Sequence, residues 1–325
     1  MAKAKTAFVC NECGSDYAKW QGQCQACKAW NSLSEIRLTS SKTPARVSAS
    51  QDPRYQGYAG AITGIQSLSD VDLTDVPRFR SGASEFDRVL GGGLVLGGGG
   101  LIGGHPGAGK STLLLQTMCW LAQQQSALYV TGEESLQQVA MRAQRLGLPM
   151  DNLKMLSETN VEAILNTAQQ LKPKVMVIDS IQVMHLDGVE SAPGSVSQVR
   201  ESAAVLTRFA KQTQTVVLLV GHVTKDGSLA GPKVLEHMVD CSVLLEGSED
   251  SRFRTLRGMK NRFGAVNELG VFAMLENGLK EVKNPSSIFL NRSNHPTAGS
   301  LVVVIWEGTR PLLVELQALV DDSPL

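Results

Sequence analysis

The sequence predicts an α/β fold, a mostly parallel central sheet flanked by helices, with a small separate module at its N-terminus. Three observations predict it. Gly104-His105-Pro106-Gly107-Ala108-Gly109-Lys110-Ser111-Thr112 reads G-x-x-x-x-G-K-S, between an apolar strand end at Leu101-Ile102 and the helical rhythm of Leu114, Leu115, Met118 and Leu121. Further apolar strands follow at 127–131, 174–178 and 215–220, each ending in acidic or polar residues, as open parallel sheets arrange their chemistry. Cys10, Cys13, Cys24 and Cys27 form C-x₂-C-x₁₀-C-x₂-C, well ahead of the first of these strands.

The glycine-rich run is a Walker A pattern. Glycines let backbone N–H groups turn inward around phosphates, and the following helix start adds partial positive charge. Lys110 then reaches the β- and γ-phosphates, and the Ser111 hydroxyl holds Mg²⁺. The pattern implies binding of ATP and ADP through residues 104–112. An accidental glycine-rich turn is disfavoured by the strand before it and the helix after it.

Bulk properties exclude several classes. The 325 residues are 42% hydrophobic and 19% charged, ordinary for a globular chain, and suffice for one large domain with a satellite. The formal net charge is zero, so a polyanion must be held by a local patch. No apolar run reaches membrane-spanning length, and Met1-Ala2-Lys3-Ala4-Lys5 leads into no signal-like core, which places the chain in the cytoplasm. Six cysteines there read as metal ligands or buried thiols.

Residues 1–35 read as a zinc ribbon: two CxxC knuckles offer four thiolates to close a tetrahedron, in a segment too short for a core of its own. A redox dithiol, the rival reading, ordinarily uses a single CxxC on a larger scaffold. Residues 36–66 turn polar and small and read as a flexible linker. The core is expected over 67–310, starting with Leu68, Val71, Leu73 and Val76 and a short helix at 84–90 stopped by Gly91-Gly92-Gly93. After the Walker A helix, Tyr129-Val130-Thr131-Gly132-Glu133-Glu134 delivers two carboxylates from a strand end. They read equally as water-polarising groups, Glu133 first and Glu134 as its neighbour or substitute, or as acids favoured at the start of the helix at 135–145. A helix at 161–171 leads to Val175-Met176-Val177-Ile178-Asp179, a Walker B pattern in which Asp179 holds the Mg²⁺ shell. Residues 185–197 form a loop, 199–211 a helix, and the strand at 215–220 ends in Gly221-His222. His222 is either structural or a γ-phosphate sensor. A second loop spans 224–233. Short strands at 241–245, 252–256, 271–274 and 301–306 suggest an antiparallel extension of the sheet. Arg252, Arg254, Arg257, Lys260 and Arg262 make either a solvated face or a phosphate-contacting edge. Cys119 and Cys241 lie in apolar runs and read as core thiols.

The four-cysteine ribbon, the Walker A run, Tyr129 to Ser135 and Lys260-Asn261-Arg262-Phe263-Gly264 together resemble the bacterial RadA (Sms) family of recombination and repair proteins. The resemblance covers nearly the whole chain and implies a RecA-like ATPase core, similar to RecA and DnaB-type helicases. It implies an ATP hydrolase that moves on single-stranded DNA, promotes branch migration, forms a homo-hexamer and works with the recombinase RecA near the nucleoid. Carried over, Lys110 and Ser111 take phosphates and magnesium, Glu133 is the catalytic glutamate and Asp179 the Walker B acid. Lys260 and Arg262 become candidates to reach a neighbouring subunit's ATP or DNA, and the loops at 185–197 and 224–233 correspond to DNA-facing loops. Three departures stand out. Family members continue into a C-terminal domain resembling Lon protease, so residues 311–325 are expected to begin the connection to a domain absent from this sequence. Gly97-Gly98-Gly99-Gly100 stands where the family's first core strand carries larger residues, which predicts a less stable core. His105 stands where Asn or Asp is usual, at a variable position. Two alternatives are a KaiC-like signalling ATPase that switches protein partners and a zinc-ribbon adaptor with a vestigial nucleotide site.

Overall fold

A computed structural model of the chain describes residues 5–10, 16–25, 28–38, 67, 69, 77–222, 234–247, 251–290 and 298–319. The chain divides into two compact units, residues 1–56 and 57–325.

The first unit is a three-stranded antiparallel sheet of β1 (Lys5–Cys10), β2 (Asp16–Tyr17) and β3 (Leu33–Leu38), in the order β2-β1-β3. Its small core is Cys10, Cys24 and Leu33, with Phe8 and Tyr17 packed against them. So few apolar side chains do not hold a fold by burial alone, which is the ordinary situation of a metal-stapled module. β3 runs three residues past the expected ribbon end at 35, and the rest of the expected linker to 66, apart from the far end of β3, lies outside the described residues.

The second unit begins with β4 (Arg78–Phe79), α1 (Ser84–Val89) and β5 (Leu94–Val95). Then come β6 (Gly99–Gly104), α2 (Lys110–Leu121), β7 (Ala127–Thr131), α3 (Leu136–Arg145) and β8 (Lys154–Ser157). These are followed by α4 (Val161–Leu171), β9 (Val175–Asp179), α5 (Val196–Thr213), β10 (Val216–Val220) and α6 (Val234–Met238). The chain closes with β11 (Cys241–Glu246), β12 (Phe253–Asn261), β13 (Leu269–Leu275), β14 (Gly278–Glu281), α7 (Ser286–Phe289), β15 (Ser300–Glu307) and β16 (Arg310–Gln317).

A nine-stranded sheet runs β14-β13-β12-β11-β6-β10-β9-β7-β8. The six strands from β11 to β8 are mutually parallel, and β12, β13 and β14 add an antiparallel flank. Strand alternation sends side chains to two cores. Ile102, Tyr129, Val175, Val177, Val216 and Leu218 join α2 on one face; Leu101, Leu128, Met176, Ile178, Val217 and Leu219 join α4 and α5 on the other. Burial on both faces explains the near-continuous apolar runs of β9 and β10. The C-terminal ends of β6, β7, β9 and β10 consequently open on one rim.

The glycine run enters the central strand between β11 and β10. A Cβ on Gly100 would lie 2.8 Å from Leu218 Cδ2, whereas one on Gly99 would meet Thr207 Cγ2 at 3.4 Å, an ordinary contact. Leu218 thus occupies the space that a larger residue at 100 would need, and a void of about 20 Å³ remains nearby, lined in part by Gly98, Gly99 and Phe263. Gly99→Ala is expected to stabilise the fold by about 0.5–1 kcal/mol, through lost freedom of the unfolded chain. Gly100→Ala is expected to destabilise it by about 1–3 kcal/mol through overpacking. Chemical denaturation of the two variants beside the parent chain checks both signs.

One expectation needs correcting. The strand at 301–306 does not extend the central sheet: β15 pairs only with β16, in a separate hairpin. Its turn is anchored by a buried Arg310 Nη1–Glu85 Oε2 ion pair at 2.5 Å and by Leu312 packing on Leu269 and Val271. Leu301, Val302, Val304 and Trp306 of β15 stay exposed. The expected core boundary at 310 falls on the first residue of β16.

Candidate functional site

The rim is built around the turn from β6 into α2. Gly109 caps α2 at φ 105°, and a Cβ there would lie 2.6 Å from Met274 Cε, so only glycine makes this turn. His105, Pro106 and Gly107 are exposed, Ala108 is buried, and Lys110 starts the helix almost fully buried. The His105 side chain faces solvent while its carbonyl accepts from Lys110 Nζ and from the Ala108 backbone. Lys110 Nζ donates to the Gly104 and His105 carbonyls at 2.8 and 2.9 Å and lies 3.3 Å from His222 Nδ1. Burial holds its ammonium below the usual lysine value, against the opposing pull of Asp179 and Glu133. The Arg254 guanidinium closes the loop from behind, with Nε donating to the Ala108 carbonyl at 3.2 Å.

Asp179, at the end of β9, accepts from Tyr129 Oη at 2.5 Å and from the Ser111 hydroxyl. Burial raises its pKa, and these two hydrogen bonds oppose the rise. A hydroxyl and a carboxylate brought together at the start of a P-loop helix are hard oxygen donors of the kind Mg²⁺ takes, so Ser111 and Asp179 fit that ion.

Glu133 leaves the end of β7 and accepts from the Ser180 hydroxyl through Oε1, with His222 Nε2 at 3.4 Å from the same oxygen. The His222 hydrogen bond, helped by that of Ser180, holds its carboxyl below the usual glutamate range despite partial burial. A protonated Lys110 can only donate, which makes His222 Nδ1 an acceptor and puts the imidazole proton on Nε2, facing Glu133. Lys110, His222, Glu133 and Ser180 therefore form one hydrogen-bonded chain across the ends of β6, β10, β7 and β9.

Glu134, expected as the neighbour or substitute of Glu133, forms an ion pair with Arg142 of α3 at 2.5 Å, and the Thr131 hydroxyl binds its backbone.

The Lys260-Asn261-Arg262-Phe263-Gly264 motif is placed elsewhere. Asn261 is in register with Cys241, and Cys241 with Gly100, so the motif lies at the N-terminal edge of the sheet. The P-loop leaves the opposite edge, four residues of strand or roughly 13 Å away. Lys260 Nζ caps α6 through the Glu236, His237 and Val239 carbonyls at 2.6, 3.3 and 2.8 Å. Half-exposed Arg262 reaches Asp240 Oδ1 at 3.1 Å, a buried carboxylate that Lys211 also binds at 3.2 Å. Asn261 Oδ1 accepts from the Phe263 backbone, Phe263 lies beside Gly98, and Gly264 packs on Gly91. The five-cation run is not a continuous patch: Arg254 serves the P-loop, Arg257 binds Glu307 at 2.8 Å, and Arg252 stacks on Phe253. Gln198, missed from sequence, pins the loop at 185–197 through Leu186, Val189 and Ser191. Its helical spacing to Leu206 and Phe209, on the buried side of α5, was the available signal. The loop at 224–233 lies outside the described residues.

In the first unit, Cys10 Sγ is 3.2 Å from Ser32 Oγ and Cys24 Sγ is 3.3 Å from Tyr17 Oη. Cys13 and Cys27 lie outside the described residues. Two CxxC pairs match the thiolate set that zinc takes. No helix among the described residues is long and apolar enough to cross a membrane.

Comparison with known proteins follows the same division. Residues 68–228 match the AAA domain family, a span that holds Lys110, Glu133, Asp179 and His222 but ends before Lys260. Residues 8–35 match a rubredoxin metal binding domain. The DNA repair protein RadA of Haemophilus influenzae is 67% identical over the whole chain, that of Escherichia coli 68% over 99% of it, and that of Pseudomonas aeruginosa 58% over the whole chain. In each case the chain accounts for 70% of the relative's length. With an AAA ATPase domain on a mostly parallel sheet, an N-terminal zinc ribbon and this identity along its full length, the chain belongs to the RadA family.

Proposed function

We propose that the chain is a DNA-dependent ATPase of recombination and repair, moving on single-stranded DNA and promoting branch migration as a ring of identical subunits. Branched DNA and a RecA-type recombinase are the partners this reading implies. One observation carries it: Lys110, Ser111, Glu133, Asp179 and His222 converge on one rim, while Lys260 and Arg262 stand at the far edge of the same sheet. From there the two cations cannot reach their own subunit's nucleotide, and a neighbour's site is the natural target.

Bound ATP and Mg²⁺ supply the transferable phosphoryl group and neutralise its charge. Lys110 would hold phosphate oxygens in place of the Gly104 and His105 carbonyls, and Ser111 and Asp179 would hold the metal. Glu133, kept ionised by His222 and Ser180, accepts a proton from water as general base. His222, between Lys110 and Glu133, is positioned to register whether phosphate has drawn Lys110 away.

The test is the ATPase rate with and without single-stranded DNA, beside the mass in solution. Stimulation by DNA in a multimeric protein is expected. Arg262→Ala is expected to lose that stimulation with little change in melting, since Asp240 keeps Lys211. Lys260→Ala is expected to lose it as well and to melt somewhat lower, because the Glu236 and Val239 carbonyls lose their donor. Stimulation unchanged in both removes the interface role. A rate indifferent to DNA, with no DNA held at low salt, favours a signalling ATPase instead.

A further inference from the structure

Tyr129 is fully buried in the middle of β7, yet its hydroxyl is spent on the Walker B acid rather than on a backbone carbonyl. The parallel register produces this contact. Tyr129 lies opposite Val177 and Thr131 opposite Asp179, so Tyr129 and Asp179 point to the same face of the sheet, two residues apart along adjoining strands. That face is the one α2 covers, and α2 brings the Ser111 hydroxyl to the same carboxylate. Asp179 is thus held from two sides, by a rigid phenol from the sheet and by a hydroxyl from the P-loop helix. A carboxylate on a strand end rotates about χ1 and χ2 unless held; a buried phenol donating to it at 2.5 Å restrains both.

We propose that Tyr129 is a positioning residue for the metal–nucleotide site, holding the Asp179 carboxylate in the orientation that receives Mg²⁺. The inference rests on Asp179 being the metal-facing acid of the proposed ATPase. It explains why a tyrosine stands where the packing alone asks only for an aromatic ring. Phenylalanine fills the same volume among Ile102, Leu115 and Val177, so the hydroxyl is the one group at this position that packing does not require.

The experiment is Tyr129→Phe in the full chain, with binding of a fluorescent ATP analogue titrated against MgCl₂ and repeated in EDTA. The Mg²⁺ concentration for half-maximal binding is expected to rise about tenfold or more, as for other groups that orient a metal ligand. Binding in EDTA and the melting temperature of the nucleotide-free protein are expected to stay with the parent. The same Mg²⁺ titration on Asp179→Asn separates the two levels of inference. A defective Asp179→Asn beside an unchanged Tyr129→Phe overturns the positioning role alone. Parental Mg²⁺ dependence in Asp179→Asn overturns the site assignment beneath it. Equal loss in EDTA and in Mg²⁺, or a lowered melting temperature in Tyr129→Phe, makes the hydroxyl a matter of core stability and also overturns the proposal. In the Asp179→Asn background, Tyr129→Phe is expected to shift the Mg²⁺ midpoint no further, and a full second shift there counts against it.

Discussion

Lys110→Ala abolishes ATP turnover, by at least about a hundredfold, and leaves the protein folded. The magnitude follows from removing a preorganised cation from the point where phosphate charge accumulates, at a site sheltered from water. Fold retention follows from the electrostatics of the resting chain. Burial depresses the folded-state pKa of Lys110 below 10.5, so the unfolded chain binds its proton more tightly than the folded one. The charged lysine therefore weakens folding at neutral pH, and that penalty fades as pH rises through its folded pKa towards 10.5. Two measurements follow. Relative to the parent, the melting temperature of Lys110→Met falls as pH is raised towards 10.5, whatever its offset at pH 7 from losing the bonds to the Gly104 and His105 carbonyls. Residual turnover near parental rates in Lys110→Ala refutes the nucleotide assignment of residues 104–112.

Glu133→Gln retains nucleotide and loses turnover by about 10²–10⁴-fold, the span of general-base catalysis. Glutamine keeps the volume and can still meet His222 and Ser180, so binding of an ATP analogue stays within a few-fold. Glu134→Gln is the internal control. It gives up its pairing with Arg142, a partly exposed contact worth about 1 kcal/mol at most, and turnover stays within a few-fold. Equal loss of activity in the two variants contradicts the division of labour between them. The pH dependence has a defined sign. Glu133 is held below its ordinary 4.5, so the stability it adds through His222 and Ser180 is present above that value and lost as pH falls through the folded pKa. The acid limb of kcat/KM, which reports the nucleotide-free protein, is expected below pH 4.5, and one centred well above it contradicts Glu133 as the base.

The P-loop was legible because phosphate binding demands small, flexible and cationic residues at fixed spacing, a demand written locally. The same holds for the two CxxC pairs and for β9 and β10, whose unbroken apolar runs carry the mark of strands buried on both faces. The choice between Glu133 and Glu134 was not legible. Both follow Gly132 just beyond β7, where strand parity no longer decides direction, and their partners are Arg142, a helix away, and His222, reached only after three more strands. Lys260 and Arg262 could be recognised by motif, but only the register of β11 with β6 and β12 shows which edge of the sheet they occupy. Strand β8 escaped because Lys-Met-Leu-Ser offers four residues with little alternation, and β14 because Gly-Leu-Lys-Glu offers less. The strand at 301–306 showed its type and concealed its partner, since β-pattern does not encode sheet membership.

That hairpin has a mechanical meaning. It is pinned at its tip, where Arg310 inserts beside Glu85 of α1 and Leu312 sits on β13, while its open end projects apolar side chains into solvent. Such a piece behaves as a stiff lever with its fulcrum on the ATPase. Leu312 ties the hairpin to β13, the strand whose Met274 Cε fills the space a side chain at Gly109 would need, so hairpin and P-loop corner rest on one strand.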